Sequence, residues 1–158
     1  MISALRPEGP ETEPAPAPEI ERKVLNESHR LDEVRVLLVE DNTETLDMLK
    51  VIFEESGAEV IAATSVDEAL DALDRFGPNV LVSDITMPDR DGYDLVREVR
   101  SRAPERGGKI PAVALTAYVR AEDRVRVLSA GFQMHVAKPI DPNDLIAAVA
   151  SLTGRIYY

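Results

Sequence analysis

Asn79-Val80-Leu81-Val82-Ser83-Asp84-Ile85-Thr86-Met87-Pro88 is a short apolar run that ends on a carboxylate and is stopped by a proline. Val80, Leu81 and Val82 are apolar on consecutive positions, so a strand here needs cover on both faces, as in the middle of a parallel sheet. Asp84 then stands at the strand's carboxyl end. In open α/β sheets that edge is where ligands bind, and the neighbouring strands decide which other groups arrive there.

On both sides of this strand the chain alternates between short apolar runs and helical periodicity. Val34 to Val39 reads as strand one, ending on Glu40-Asp41, and Thr43 to Ser56 as helix one, with Leu46, Leu49, Ile52 and Phe53 on one face before Gly57. Glu59 to Ala63 is strand two. Ser65-Val66-Asp67-Glu68 is a capping box opening helix two, which Gly77-Pro78 ends. Beyond the quoted strand, helix three is expected from Gly92 to Arg102 on Tyr93, Val96 and Val99. Gly107-Gly108 turns the chain into strand four, Ile110 to Leu115. Helix four is expected over Ala121 to Ala130, closed by Gly131, and strand five over Gln133 to Ala137. Asp141-Pro142-Asn143-Asp144 supplies an N-cap and an N1 proline for helix five, Leu145 to Leu152.

Five strands alternating with five helices specify an α/β fold, a three-layer doubly wound five-stranded parallel sheet with right-handed crossovers. No Gly-rich dinucleotide turn follows strand one, which favours the flavodoxin-like order 2-1-3-4-5. Strands one and three are then neighbours about 5 Å apart, so Glu40, Asp41 and Asp84 converge.

Composition narrows the chemistry. A chain of 158 residues that is 44% hydrophobic suffices for one packed core. It has no cysteine, which excludes disulfides, thiol catalysis and thiolate metal sites, and His29 and His135 alone leave little for zinc. The net charge of -11 argues against direct binding to nucleic acid through a basic surface. No apolar run approaches the roughly 20 residues that span a bilayer, and Met1-Ile2-Ser3-Ala4 does not open a signal peptide, so a cytoplasmic location without membrane contact in this chain is expected. The composition changes near residue 33. Met1 to Glu33 carries five of the 11 prolines (Pro7, Pro10, Pro14, Pro16, Pro18), and its acids outnumber its bases by eight to four. Residues 1–33 therefore read as a disordered Pro-rich acidic linker, 34–154 as the folded domain and 155–158 as a tail.

Three carboxylates in one crevice repel, and burial raises their pKa values unless a cation sits among them. An oxygen-seeking divalent ion is the natural partner, and Mg2+ held by one or two carboxylates and several waters suits phosphoryl chemistry. Strand four brings Thr116, a hydroxyl donor, to the same edge, and strand five brings Lys138, a positive charge before Pro139. Such a set is a phosphoryl-aspartate site with Asp84 as nucleophile, Lys138 and the metal neutralising phosphoryl oxygens, and Thr116 hydrogen-bonding one of them.

Val-Glu-Asp-Asn at Val39 to Asn42, Ser-Asp-Ile-Thr-Met-Pro-Asp-Arg-Asp-Gly at Ser83 to Gly92, Ala-Leu-Thr-Ala at Ala114 to Ala117 and Ala-Lys-Pro at Ala137 to Pro139 resemble the receiver domain of two-component response regulators over about Val34 to Leu152. The strand order above is also that family's. The resemblance implies that Glu40, Asp41, Asp84 and the backbone carbonyl of Thr86 hold Mg2+. It further implies that Asp84 takes a phosphoryl group from a histidine kinase or histidine phosphotransfer domain, that Thr116 is the switch hydroxyl, and that the Lys138-Pro139 bond is cis. Two positions depart from the family's pattern. Glu40 stands where an aspartate is common, and His135 stands where a tyrosine or phenylalanine usually swings inward. Tyr118 lies close enough to Thr116 to control water access. Asp89 and Asp91 read as turn and cap residues.

The wording around Ala114 to Arg124 and Ala130 to Pro139 is similar to receivers at the carboxyl end of hybrid sensor histidine kinases. No phosphoacceptor helix or ATP-binding box is present, so the chain is expected not to be an enzyme in its own right beyond promoting its own phosphorylation and dephosphorylation. With only Gly154 to Tyr158 after helix five, output is expected through the domain's own surface, helix four, strand five and helix five, toward a protein partner, or through something attached elsewhere. Homodimerisation is left open. A haloacid-dehalogenase-like phosphatase needs an acid where Thr86 stands. A flavin carrier needs a Ser/Thr/Gly phosphate loop where Asp41-Asn42-Thr43-Glu44 stands, and a non-phosphorylated interaction module would be expected to lack an acid or the lysine.

Overall fold

The computed structural model describes residues 30–117 and 120–154. Within them lie β1 (Arg35–Val39), α1 (Thr43–Glu55), β2 (Glu59–Ala63), α2 (Val66–Phe76), β3 (Val80–Asp84), α3 (Gly92–Arg100), a 3-10 turn (Pro104–Arg106), β4 (Ala112–Thr116), α4 (Ala121–Ala130), β5 (Met134–Ala137) and α5 (Pro142–Thr153). The strands form one parallel sheet in the order β2-β1-β3-β4-β5. This is the expected flavodoxin-like arrangement.

Consecutive strand residues point to opposite faces, so each apolar run feeds two cores at once. Leu37, Val39, Leu81, Ala112 and Ala114 pack with Leu73 of α2, Val96 of α3 and Val127 of α4. Val36, Leu38, Val80, Val82, Val113 and Leu115 pack on the other side with Leu49 and Phe53 of α1 and Leu145 and Val149 of α5. All five residues of β3 are buried, as its unbroken apolar run requires.

Helix starts follow side-chain caps. Asn42 accepts from the Thr45 N–H at 2.9 Å, Ser65 from Glu68 and Asp141 from Asn143 and Asp144. Asp91 and Asp94 exchange side-chain and backbone hydrogen bonds at 2.9 Å, closing a capping box at α3. With Asp141 as cap and Pro142 in the first turn, α5 begins ahead of the apolar residue Leu145.

Several boundaries differ from the sequence expectation, most by a residue or two, and three of them have evident causes. β4 starts at Ala112 rather than Ile110, because the Ile110 N–H is spent on Gly107 O at 3.1 Å and Pro111 has none to give. α3 stops at Arg100 rather than Arg102, and the Ser101 hydroxyl then donates to Glu98 O at 2.6 Å. The packed unit also reaches back past Val34: Leu31 is fully buried in the core on the α1 and α5 side of the sheet, and its N–H donates to Ser56 O at 2.7 Å. Residues 1–29 of the expected linker and the tail 155–158 lie outside the described residues. No helix among the described residues is long and apolar enough to cross a membrane.

Candidate functional site

The sheet register assembles the site. Val39 pairs with Ser83 between β1 and β3, Asp84 with Leu115 between β3 and β4, and Thr116 with Ala137 between β4 and β5. One or two residues beyond these pairs, Glu40, Asp41 and Lys138 emerge at the same carboxyl edge as Asp84. Oxygens of Glu40, Asp41 and Asp84 lie within 4.8 Å of one another. Asp41 is exposed, whereas Glu40 is 2% and Asp84 4% accessible.

Lys138 is the counter-charge. Its Nζ donates to Asp84 Oδ1 at 3.0 Å and stands 3.9 Å from Glu40 Oε1. The Lys138-Pro139 bond is cis, and the Lys138 N–H donates to Thr116 O at 2.8 Å. The Thr86 N–H also reaches Asp84 Oδ1, at 3.4 Å, and the Ser83 hydroxyl donates to the Asp84 carbonyl at 2.9 Å.

Glu40 is held on one side only. Its Oε2 accepts from the Asn42 N–H at 3.2 Å, while its buried Oε1 has no hydrogen-bond partner among the described residues. Burial pushes the carboxyl from its ordinary 4.5 up to about 7; the Asp84 charge adds to the rise, and the Asn42 N–H and Lys138 oppose it. A buried oxygen without a donor, on a carboxylate grouped with two others, is the environment a hard cation relieves. The residues present fit Mg2+.

Thr116 is buried at the end of β4 and Thr86 is exposed two residues after Asp84. His135 is half-buried on β5 and pairs with Ala114, so it lies on the face of the sheet that α4 covers. It also borders a groove shared with Asp144, Ala147 and Ala148 of α5. Tyr118 lies outside the described residues. Asp91 caps α3 and Asp89 takes a positive φ of 67°, as turn and cap residues do.

Two neighbours escaped the sequence reading. Asn42 both caps α1 and supplies the N–H to Glu40; the cap signal was readable from its place before Thr43, the second role was not. Gly92 packs so closely on the nucleophile's backbone that a Cβ there would stand 2.4 Å from the Asp84 carbonyl oxygen. Its N–H donates to Ile85 O at 2.8 Å, closing the loop that follows Asp84.

The family model for the response regulator receiver domain matches residues 36–150. An uncharacterized 14.6 kDa protein in the sodA1 3′ region of Leptolyngbya boryana is 43% identical over 75% of this chain and 89% of its own length. The transcriptional regulatory protein TrcR of Mycobacterium tuberculosis is 36% identical over 80% of this chain, which spans only 49% of that regulator. Among solved structures, the receiver domain of a Pseudomonas aeruginosa sensor histidine kinase, with a magnesium ion coordinated in its active-site cleft, superposes with a TM-score of 0.69 at 29% identity. The match covers 77% of this chain and 98% of that one.

Proposed function

This chain belongs to the response regulator receiver domain family, the receiving partner of two-component phosphorelays, and we propose on that premise that Asp84 is its phosphoacceptor. The observation that carries the assignment is the ion pair of 3.0 Å between Lys138 Nζ and Asp84 Oδ1 at the sheet edge shared with Glu40 and Asp41. In the transfer, an oxygen of the Asp84 carboxylate forms the new O–P bond. The P–N bond to the donor's histidine breaks, and its electron pair returns to the imidazole. Lys138 and the Thr86 N–H orient the carboxylate through Oδ1, so attack is assigned to Oδ2.

Each remaining group answers the charge that arrives. The Lys138 ammonium balances the phosphoryl oxygens, and the Thr116 hydroxyl supplies a hydrogen bond to one of them. Glu40, Asp41, Asp84 and the Thr86 carbonyl would hold Mg2+, which when bound neutralises negative charge on the phosphoryl group. Burial of Glu40 and Asp84 keeps bulk water away from the acyl phosphate. The phosphoryl donor is a histidine kinase or a histidine phosphotransfer domain. The receiver accelerates its own phosphorylation and dephosphorylation without being a turnover enzyme.

Output follows from the places of Thr116 and His135. A hydroxyl drawn toward Asp84 pulls on the segment leading into α4, and His135 lies on the sheet face beneath that helix. The readout surface is therefore α4, β5 and α5, presented to a protein partner or a second copy. The same receiver placed at the carboxyl end of a hybrid histidine kinase would act identically at Asp84. Incubation with acetyl phosphate and Mg2+ followed by intact-mass measurement tests the assignment. One added phosphoryl group is expected in the wild type and none in Asp84→Asn; equal labelling of the variant overturns it.

A further inference from the structure

α4 is lightly held. Val127 is the one buried residue among those described in it, while Val125 and Leu128 are exposed. Its carboxyl end is tied down by Arg100 of α3, whose Nε and Nη2 donate to Gly131 O at 3.0 and 2.8 Å and whose Nη1 donates to Gly108 O at 3.0 Å. The position suits glycine, with a φ of 127° and Arg100 Cγ 2.9 Å from where a Cβ would stand. A helix pinned at that end and displaced at the other turns about the pin, so contacts made by its middle change.

The middle contact is made by Arg126. Its guanidinium carbon stands 4.1 Å from the centre of the Tyr93 ring, well inside the roughly 6 Å over which a cation is attracted to an aromatic face. Tyr93 is 6% accessible, so the ring is a fixed platform. Arg97 of α3 approaches the same ring more distantly, at 5.9 Å. Tyr93 follows Gly92, which abuts the Asp84 carbonyl and bonds Ile85 O. Asp84 and α4 are thereby joined through Gly92, Tyr93 and Arg126, a route that does not pass through Thr116. Beside the ring a cleft of about 370 Å³, lined by Thr86, Met87, Asp91 and Asp123, gives the guanidinium room to leave.

We propose that Arg126 is a positioning residue: its cation–π contact with Tyr93 holds α4 in the unphosphorylated arrangement and so sets the bias of the switch. The proposal rests on Asp84 as the phosphoacceptor and α4 as part of the output face. A contact made only in the resting state lowers the apparent affinity for anything that selects the other state, and its removal raises that affinity.

Beryllofluoride, a phosphoryl mimic, is the probe, titrated calorimetrically in Mg2+ against wild type, Arg126→Ala, Arg126→Lys, Tyr93→Leu and the Arg126→Ala/Tyr93→Leu pair. Arg126→Ala should bind it about two- to fivefold more tightly, the factor that an exposed cation–π contact of ~0.5 to 1 kcal/mol gives. Arg126→Lys should restore most of the wild-type affinity, and the double variant should gain no more than the larger single effect. Metal-free Arg126→Ala should also exchange its α4 amides faster, with urea stability little changed. Unchanged or weaker beryllofluoride binding in Arg126→Ala, or additive effects in the double variant, overturns the proposal. Failure of the wild type itself to bind beryllofluoride overturns the assignment of Asp84 instead.

Discussion

Glu40→Gln is expected to remove a pH dependence of stability. Burial raises the Glu40 carboxyl from 4.5 to about 7 in the folded protein, whereas the unfolded chain loses that proton near the ordinary value. Between those limits the folded state holds more protons than the unfolded one. Stability therefore falls as pH rises from about 4.5 to about 7, and is level above. At about 1.4 kcal/mol per pH unit the fall amounts to about 3 kcal/mol. An amide at this position cannot ionise. Whatever constant cost its nitrogen meets beside Lys138 cancels when two pH values are compared. Urea unfolding in EDTA at about pH 5 and about pH 8 measures the difference. The wild type should lose most of the ~3 kcal/mol across that interval and Glu40→Gln should lose clearly less. Saturating Mg2+ should flatten the wild-type slope, because the cation and the proton compete for the same oxygen. An identical pH slope in both proteins would rule out Glu40 as its source.

Leu31→Ala should cost about 2 to 5 kcal/mol in urea unfolding, the range for emptying a buried leucine site, and a loss near zero would show that the segment before β1 is not part of the packed unit. Gly92→Ala forces a methyl against the Asp84 carbonyl and should destabilise by roughly 1 to 3 kcal/mol while slowing labelling by acetyl phosphate; normal stability and rate together would contradict the close approach. Thr116→Ala should still accept the phosphoryl group but lose about 1.5 to 3 kcal/mol of switching bias, the worth of a hydrogen bond to a charged acceptor. Amide exchange over α4 and β5 with and without beryllofluoride checks this, and protection changes as large as in the wild type would count against Thr116.

The sheet was legible because strands and caps are local signals. Val80 to Val82 before Asp84, and Val36 to Val39 before Glu40, read as buried strands from consecutive apolar residues alone, and Ser65, Asp91 and Asp141 marked helix starts by side-chain chemistry. Glu40, Asp41, Asp84, Thr116 and Lys138 could be brought to one edge because each ends a strand or follows one, and topology does the rest. What was hidden depends on commitments made across the fold. Ile110 has strand character, yet its N–H serves a turn and Pro111 follows it. Leu31 is a lone apolar residue among charges, with no period to betray its burial. The role of Gly92 lies in a distance to Asp84 O that spacing cannot reveal, and a helical face places Arg126 on α4 without naming Tyr93 as its partner.

If one carboxylate, Asp84, receives the phosphoryl group, chemical trapping will identify it. Borohydride reduces an aspartyl phosphate to homoserine while leaving free carboxylates alone, so phosphorylated protein can be reduced, digested and sequenced by mass spectrometry. Homoserine at position 84, absent without the phosphodonor, is the result expected. Homoserine at position 41, or at no aspartate in a protein that has gained a phosphoryl group, would contradict the account.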